Sequence, residues 1–313
     1  METANTRAGG LVLAAYGAAV TIGGANFLAV RFSNRELDPF WGAGLRFGLA
    51  AALFVIIVLS LQLPWPRGRQ LLLTAVYGFL SFALFYALMY WALVQVTAGV
   101  ATVVMAVVPL VTVLLATAQH LEILRWQALL GSLLALAGIV WMVMAAEDVV
   151  LPLTALLAML AASLCAGQSV IVSKKLSGNH PAVTNAVGMM IGALALLGMS
   201  AFVGEVWTLP RLPEAVWSIV YLVSVGSVGL FVLVLLVVRH WTASATSYMF
   251  VLFPVVTMVL EAWLADEPVT VHGAIGAGLV MAGVWFGALS PAVRQADVPD
   301  SIERTSPPIF EPG

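Results

Sequence analysis

Residues 97 to 138 of this chain recur at residues 242 to 283. Thr97, Ala98, Pro109, Val111, Thr112, Leu115, Glu122, Gly131, Leu134, Ala137 and Gly138 return without a gap, at an offset of 145. Their counterparts are Thr242, Ala243, Pro254, Val256, Thr257, Leu260, Glu267, Gly276, Leu279, Ala282 and Gly283, giving 11 identities in 42 positions. A chain rich in Ala, Leu and Val matches itself at about one position in ten by chance. The shared Pro, Glu and two Gly are not residues that apolar sequence would bring into register. Each copy reads as a helix interrupted near its middle by Pro, a short polar turn carrying Glu, and a Gly-spaced helix. Such a chain folds as two related halves.

The environment of those halves follows from composition. Hydrophobic residues make up 62% of the chain and charged residues only 9%, with a mean hydropathy of +1.05. Soluble domains carry about a quarter charged residues, so the chain belongs in a bilayer. Ten apolar runs of about 20 residues are each long enough to cross a hydrocarbon core of about 30 Å. They are expected at 10–30, 40–62, 70–94, 97–118, 126–146, 152–173, 181–203, 214–238, 242–264 and 271–290. The fold expected is an all-α polytopic membrane protein of ten transmembrane helices. Residues 1–9 form a short N-terminal segment, 10–146 the first repeat and 147–290 the second. Residues 291–313 have the Pro-rich polar composition of a disordered tail. The first run lacks a small-residue cleavage site and reads as a retained span.

Positive charge sets the expected orientation. With the N-terminus inside, cytoplasmic segments hold Arg7, Arg67, Arg69, Arg125, Lys174, Lys175, Arg239, Arg294 and Arg304, while external loops hold Arg31, Arg35 and Arg211. Both termini are therefore expected in the cytoplasm of a bacterial-type inner membrane. Five spans per half is an odd number, so the second half runs through the membrane upside down. The earlier parts of the halves correspond at an offset of 142: Thr21 answers Ser163, Asn26 answers Gln168, and Pro39 answers Pro181. Gly44 and Gly48 likewise resemble Gly188 and Gly192. Inverted repeats with binding at the midplane are the architecture of many secondary transporters.

Specific segments then carry a resemblance over nearly all of residues 10 to 290. They include GGANFLAVRF, DPFWGAGLRFGLAA, ALMYWALVQVTAGVATVVMAVVPLVTVLLA, LEILRWQALLGSLLALAGIVWMV and ATSYMFVLFPVVTMVLEAWLADEPVTVHGAIGAGLVMAGVW. Together these resemble the drug/metabolite transporter superfamily, of the ten-span EamA-domain type. The family commonly has Trp where this chain has Tyr16. The resemblance implies export of amino acids and other small metabolites, nearest to the YddG-type exporters of aromatic amino acids.

The residues themselves nominate a site. Asn26 and Gln168 are amides at bilayer depth that must find partners, placed either to line a cavity on both sides of the pseudo-twofold axis, where a substrate carboxylate or ammonium meets their donors and acceptors, or to bond between helices. Pro109 and Pro254 each remove a backbone donor in mid-span, as a helix break or hinge or as a packed kink. In span three, Phe82, Tyr86 and Tyr90 share one helical face while Tyr77, Ser81, Leu88 and Trp91 share another. An aromatic wall there would stack on a substrate ring or hold an ammonium by cation–π contact. Tyr248 is a similar candidate. Arg46 is the basic residue inside a span and needs a partner or a water path: it is expected to pair with backbone carbonyls or an acid or to snorkel outward, with binding of a substrate carboxylate as the alternative. Glu261 is its possible charge partner or a coupling group, and otherwise an interfacial acid. Glu122 and Glu267 are expected to cap the helix that follows each. Gly131 with Gly138, and Gly276 with Gly283 and Gly287, allow close helix contact.

These features weigh between function classes. His120, His180, His240 and His272 show no metal-ligand spacing, and the lone Cys165 allows no intrachain disulfide, so no metal and no cofactor is expected. GAIGAG at 273 to 278 lacks the strand–turn–helix setting of a nucleotide fingerprint. An intramembrane enzyme would need a nucleophile with a base at depth, which the sequence does not offer, and a channel or receptor would want a pore or signalling domain. A secondary transporter exporting small amphipathic metabolites, aromatic or neutral amino acids foremost, is the reading expected, with nucleosides, sugars or cationic drugs as alternative cargo. The expected partners are a small-molecule substrate and the lipid bilayer, not nucleic acid. The expected state is a monomer, with a dimer as the alternative.

Overall fold

The computed structural model describes residues 2–122, 126–144, 152–176, 178–264, 271–284 and 286. Among them there is helix and no strand. The first half contains α1 (Glu2–Ser33), α2 (Pro39–Ser60) and α3 (Arg69–Gly78), which runs through a π-helical segment (Phe79–Leu84) into α4 (Phe85–Leu93). Then come α5 (Ala98–Met105), α6 (Val108–Ala118) and α7 (Trp126–Met144). The second half repeats this order. It contains α8 (Leu153–Lys174), α9 (Pro181–Val203), α10 (Pro213–Val223) with a π-helical segment (Ser224–Gly229) into α11 (Leu230–His240), α12 (Ala243–Ser247), α13 (Met249–Leu264) and α14 (Val271–Val284). The two π-helical segments stand at the same offset of 145 as the sequence repeat.

Local chemistry fixes the helix ends. Pro39, Pro181 and Pro213 each sit in the first turn of a helix, where the missing N–H would be unpaired in any case. Thr97 and Thr242, a matched pair of the repeat, do the same work: their hydroxyls accept the N–H of Val100 at 3.3 Å and of Ala245 at 3.1 Å, satisfying donors at the starts of α5 and α12. Helix α9 ends on Gly204 at φ 77°, a left-handed conformation that glycine adopts without penalty.

Among the described residues, seven helical stretches are long and apolar enough to cross a membrane: Gly10–Ser33, Pro39–Ser60, Arg69–Leu93, Leu153–Lys174, Pro181–Val203, Pro213–His240 and Ala243–Leu264. The expected span at 97–118 is instead two pieces, α5 and α6, separated at Ala106 and Val107. That break fits Pro109, which leaves the carbonyl four residues earlier, at Met105, without an N–H. Pro254 behaves differently. Helix α13 continues through it, and the interruption lies upstream at Tyr248, between α12 and α13. The symmetric break expected at the two prolines is therefore realised at only one of them.

Matched helices meet across the molecule. Helix α2 packs along α9 and α7 along α14, while α1 lies against α13 and α11, and α8 against α4 and α6. Close approach at α9 depends on glycine. A Cβ on Gly78 would stand 2.6 Å from Gly188 Cα, and one on Gly192 would stand 2.3 Å from Phe82 Cβ, both closer than real contacts allow. Gly131, Gly138, Gly276 and Gly283 are all buried, so the Gly faces of α7 and α14 are used within the chain. Outside, the bundle presents large apolar side chains such as Phe202, Trp217, Trp263 and Val271, a surface suited to lipid rather than water.

Candidate functional site

Helices of both halves surround a partly open cavity. One wall comes from α1, α2 and the α3–α4 stretch, the other from α8, α11, α12 and α13. The lining is mostly apolar and aromatic, with Phe27, Tyr77, Phe85, Tyr86, Phe231, Phe250 and Phe253 among its members. Its polar groups are few: Asn26, Arg46, Ser81, Ser169, Ser173 and Thr246.

Arg46 is the most consequential of these. It lies on α2 with 0% of its surface exposed. Its Nε donates to Ser227 Oγ at 2.8 Å, Nη2 donates to the Gly226 carbonyl at 2.8 Å, and Nη1 reaches the Tyr90 hydroxyl at 3.4 Å. The guanidinium also lies 5.0 Å from the centre of the Tyr86 ring and 4.8 Å from that of Phe47, within cation–π range. All of these partners are neutral. The Tyr86 hydroxyl is a further hydrogen-bonding neighbour of the guanidinium, and it too is uncharged. Burying an unpaired cation costs several kcal/mol, so an arginine kept here has a reason beyond packing.

Asn26 approaches the same point from α1. Its Nδ2 donates to the Gly226 carbonyl at 3.0 Å, the oxygen that Arg46 also uses. Its Oδ1 is buried and has no hydrogen-bond partner among the described residues. The chain must run closely past it: a Cβ on Gly226 would stand 2.3 Å from Oδ1. Gly226 and Ser227 lie in the second π-helical segment, where the wider turn presents backbone and hydroxyl groups to Asn26 and Arg46. The middle of α1 is held by two further bonds, from Tyr221 Oη to the Ile22 carbonyl at 3.1 Å and from Thr257 Oγ1 to the Gly24 carbonyl at 3.0 Å.

The candidates named by sequence are distributed unevenly around this cavity. Asn26, Arg46, Tyr77 and Tyr86 line it. Gln168 does not: its Oε1 accepts from Gln119 Nε2 at 2.9 Å, between α8 and α6, which is the interhelical alternative. Tyr248 is buried at the α12–α13 break with its hydroxyl 3.1 Å from Ser132 Oγ, away from the cavity. Phe82 stands behind the wall, with its ring 4.7 Å from Phe231 and 5.5 Å from Tyr77. Tyr90 is buried with its hydroxyl accepting from Arg46, and Trp91 is on the exterior, 37% exposed. Tyr16 packs on Trp241, ring centres 4.8 Å apart, and is not part of the lining. The side chain of Glu261 and all of Glu267 lie outside the described residues.

The face of span three needs correction. Neither expected set lines the cavity; Tyr77, Ser81, Phe85, Tyr86 and Met89 do. The π-helical segment at Phe79–Leu84 adds a residue to the turn, so residues beyond it are out of phase with an even 100° spacing. The contributions of Phe231, Phe250 and Phe253 were not foreseen either, although Phe253 directly precedes the repeated Pro254.

Glu122 is a cap, but of another helix than expected. Its Oε1 accepts the N–H of Ala243 at 2.9 Å and of Ser244 at 3.3 Å, and Oε2 takes the Ser244 hydroxyl. It thus serves α12 of the other half; residues 123–125, ahead of α7, lie outside the described residues. Beside it, Lys174 Nζ donates to the Val238 carbonyl at 2.6 Å and to that of Trp241, filling acceptors at the end of α11.

Comparison with known proteins places this geometry. The model of the EamA-like transporter family matches residues 10–144 and again 153–288. A probable terminal-alkyne amino-acid exporter of Streptantibioticus cattleyicolor is 28% identical over 263 residues, covering 78% of this chain and 84% of that one. A probable amino-acid metabolite efflux pump of Escherichia coli K12 is 26% identical over 296 residues, covering 88% of this chain and 94% of its own. A solved crystal structure superposes with a TM-score of 0.71 over 92% of this chain and 99% of the other, at 19% identity, a likeness of fold.

Proposed function

The chain belongs to the EamA-like transporter family, and from that premise we propose that it is a secondary transporter exporting small amphipathic metabolites by alternating access. Amino acids with aromatic or other neutral side chains are the favoured cargo, as in the YddG-type exporters the sequence resembles. The observation that carries this reading is the cavity between the two halves, walled by aromatic rings and holding a small polar cluster at one place. Such a lining suits a molecule with one apolar part and one polar part. That two relatives are named for amino-acid export supports the class. In this reading ten spans cross the inner membrane as two inverted five-span repeats, with both termini in the cytoplasm. The pieces α5–α6 and α12–α13 are then broken spans, and α12–α13 contributes Thr246, Met249, Phe250 and Phe253 to the cavity, where transporters place irregular backbone.

The test is efflux from proteoliposomes holding the purified protein and preloaded with one labelled compound at a time: Phe, Trp, Tyr, Met, Thr and Gly, with a pH step across the membrane as a second variable. Saturable efflux that favours Phe, Trp or Tyr is expected. Efflux of nucleosides or sugars with none of the amino acids would replace the cargo while leaving a transporter.

A further inference from the structure

The polar cluster of the cavity carries a net charge, and that charge restricts what can bind. Arg46 brings a full positive charge to a wall whose other polar members are neutral, and the groups that hold it are a serine hydroxyl, a backbone carbonyl and a tyrosine hydroxyl. In so dry a setting a cation is paired, or marks the path of an anion. The Tyr86 hydroxyl also bonds to Arg46. Since every one of these partners is neutral, the positive charge is uncompensated among the described residues, and a carboxylate is the partner arginine grips best.

Asn26 supplies the complementary half. Its amide nitrogen is committed to the Gly226 carbonyl, which leaves its oxygen, buried and without a partner among the described residues, on a side chain that lines the cavity. An unpaired buried acceptor costs about 1–3 kcal/mol, and a donor on the cargo would satisfy it. Because Asn26 and Arg46 both bond to the Gly226 oxygen, the anion-binding donors and the free acceptor lie side by side.

Resting on the transporter reading, we infer that Arg46 and Asn26 form a subsite for a carboxylate-bearing cargo, with Arg46 taking the carboxylate and Asn26 Oδ1 taking an adjacent ammonium or other N–H. The cavity therefore admits zwitterions and monocarboxylates and rejects cations that lack a carboxylate, amphipathic cationic drugs among them. The aromatic wall takes the apolar side chain.

The test compares ligands that share one apolar body, competing against labelled phenylalanine in the proteoliposome assay: phenylalanine, its N-acetyl derivative (no ammonium), its amide (no carboxylate) and 3-phenylpropanoate. The amide is expected to compete at least tenfold more weakly than phenylalanine, with the two other carboxylates between them. Asn26→Asp places an anion beside Arg46 and is expected to invert the order, so that the amide binds better than phenylalanine. Arg46→Lys keeps the charge and should retain the preference for a carboxylate with weaker binding. Equal competition by phenylalanine and its amide in the wild-type protein overturns the subsite while leaving the exporter reading intact. If labelled phenylalanine does not move, each ligand is tested as labelled cargo itself. Transport of 3-phenylpropanoate alone would then discard amino acids as cargo yet uphold the subsite, and transport of the amide alone would overturn it.

Discussion

Glu205 accepts a hydrogen bond from the backbone N–H of Trp41 at 2.7 Å, so a carboxylate of the second half caps a helix of the first. The same carboxylate takes the N–H of Phe40 at 3.0 Å, at the start of α2, where Asp38 in the cap position makes no side-chain cap of its own. The exchange is mutual. Asp38 accepts the N–H of Val206 at 2.9 Å, and Glu36 accepts those of Arg211 and Leu212 just ahead of α10. Trp41 and Trp207 stack over the seam with ring centres 5.0 Å apart and planes 9° from parallel. At this end of the bundle the halves are fastened by carboxylates that accept backbone N–H groups of the other half, at the start of α2, ahead of α10 and in the segment between α9 and α10. The exposed Arg35–Glu214 pair adds little, as surface ion pairs do.

Removing that cap should therefore weaken the seam. Glu205→Ala is expected to cost about 1 kcal/mol, in the range for a lost N-terminal cap, and to lower the melting temperature of the detergent-solubilised protein. Glu205→Gln keeps an acceptor and should cost less. Equal melting of wild type and Glu205→Ala would contradict the role.

Glu122 makes the corresponding contact with α12. Glu122→Ala and Ser244→Ala should each destabilise, and the double variant should lose less than the sum, because partners in one network do not add. Melting curves of the four proteins measure this; strict additivity would mean that the contact carries no energy.

Two glycines should respond oppositely to the same change. Gly78→Ala forces a methyl to within 2.6 Å of Gly188, and overpacking of this kind costs about 1–3 kcal/mol. Gly198→Ala meets nothing within 4 Å and should be neutral or stabilising by up to about 1 kcal/mol, from helix propensity. Thermal stability of the pair, measured side by side, checks the α3–α9 contact.

Gly226→Ala tests the site rather than the scaffold. Its methyl would collide with Asn26 Oδ1 at 2.3 Å and push that side chain away from the cluster. Export is expected to fall at least tenfold, well beyond any change in melting temperature. Wild-type export would show that Asn26 need not stand where it does.

The chain's plan was legible in sequence for physical reasons. Apolar runs and repeated Pro, Glu and Gly reflect local length and backbone rules, and Thr97 and Thr242 turn out to recur because each caps a helix. Arg46 and Asn26 were legible because a charge or amide at depth is costly. What failed were inferences carried across the repeat or along an ideal helix. Gln168 matches Asn26 in position but is one methylene longer and finds Gln119, so symmetry of position did not bring symmetry of environment. The phase of Tyr77 relative to Tyr90 depends on a π-helical turn that no periodicity announces. The partners of Glu122 and Glu205 are distant in sequence, and a capping argument made along the chain does not reach them.

The most direct test of the account is efflux of labelled phenylalanine from proteoliposomes holding the wild-type protein or Val234→Trp, which places a bulky ring in the cavity wall. Val234 lines the cavity and is only part-buried, so the larger side chain has room to extend into it. Saturable efflux by wild type, lost in a Val234→Trp protein that melts normally, is the result expected if cargo passes between the halves. Undiminished efflux through the plugged cavity would contradict it.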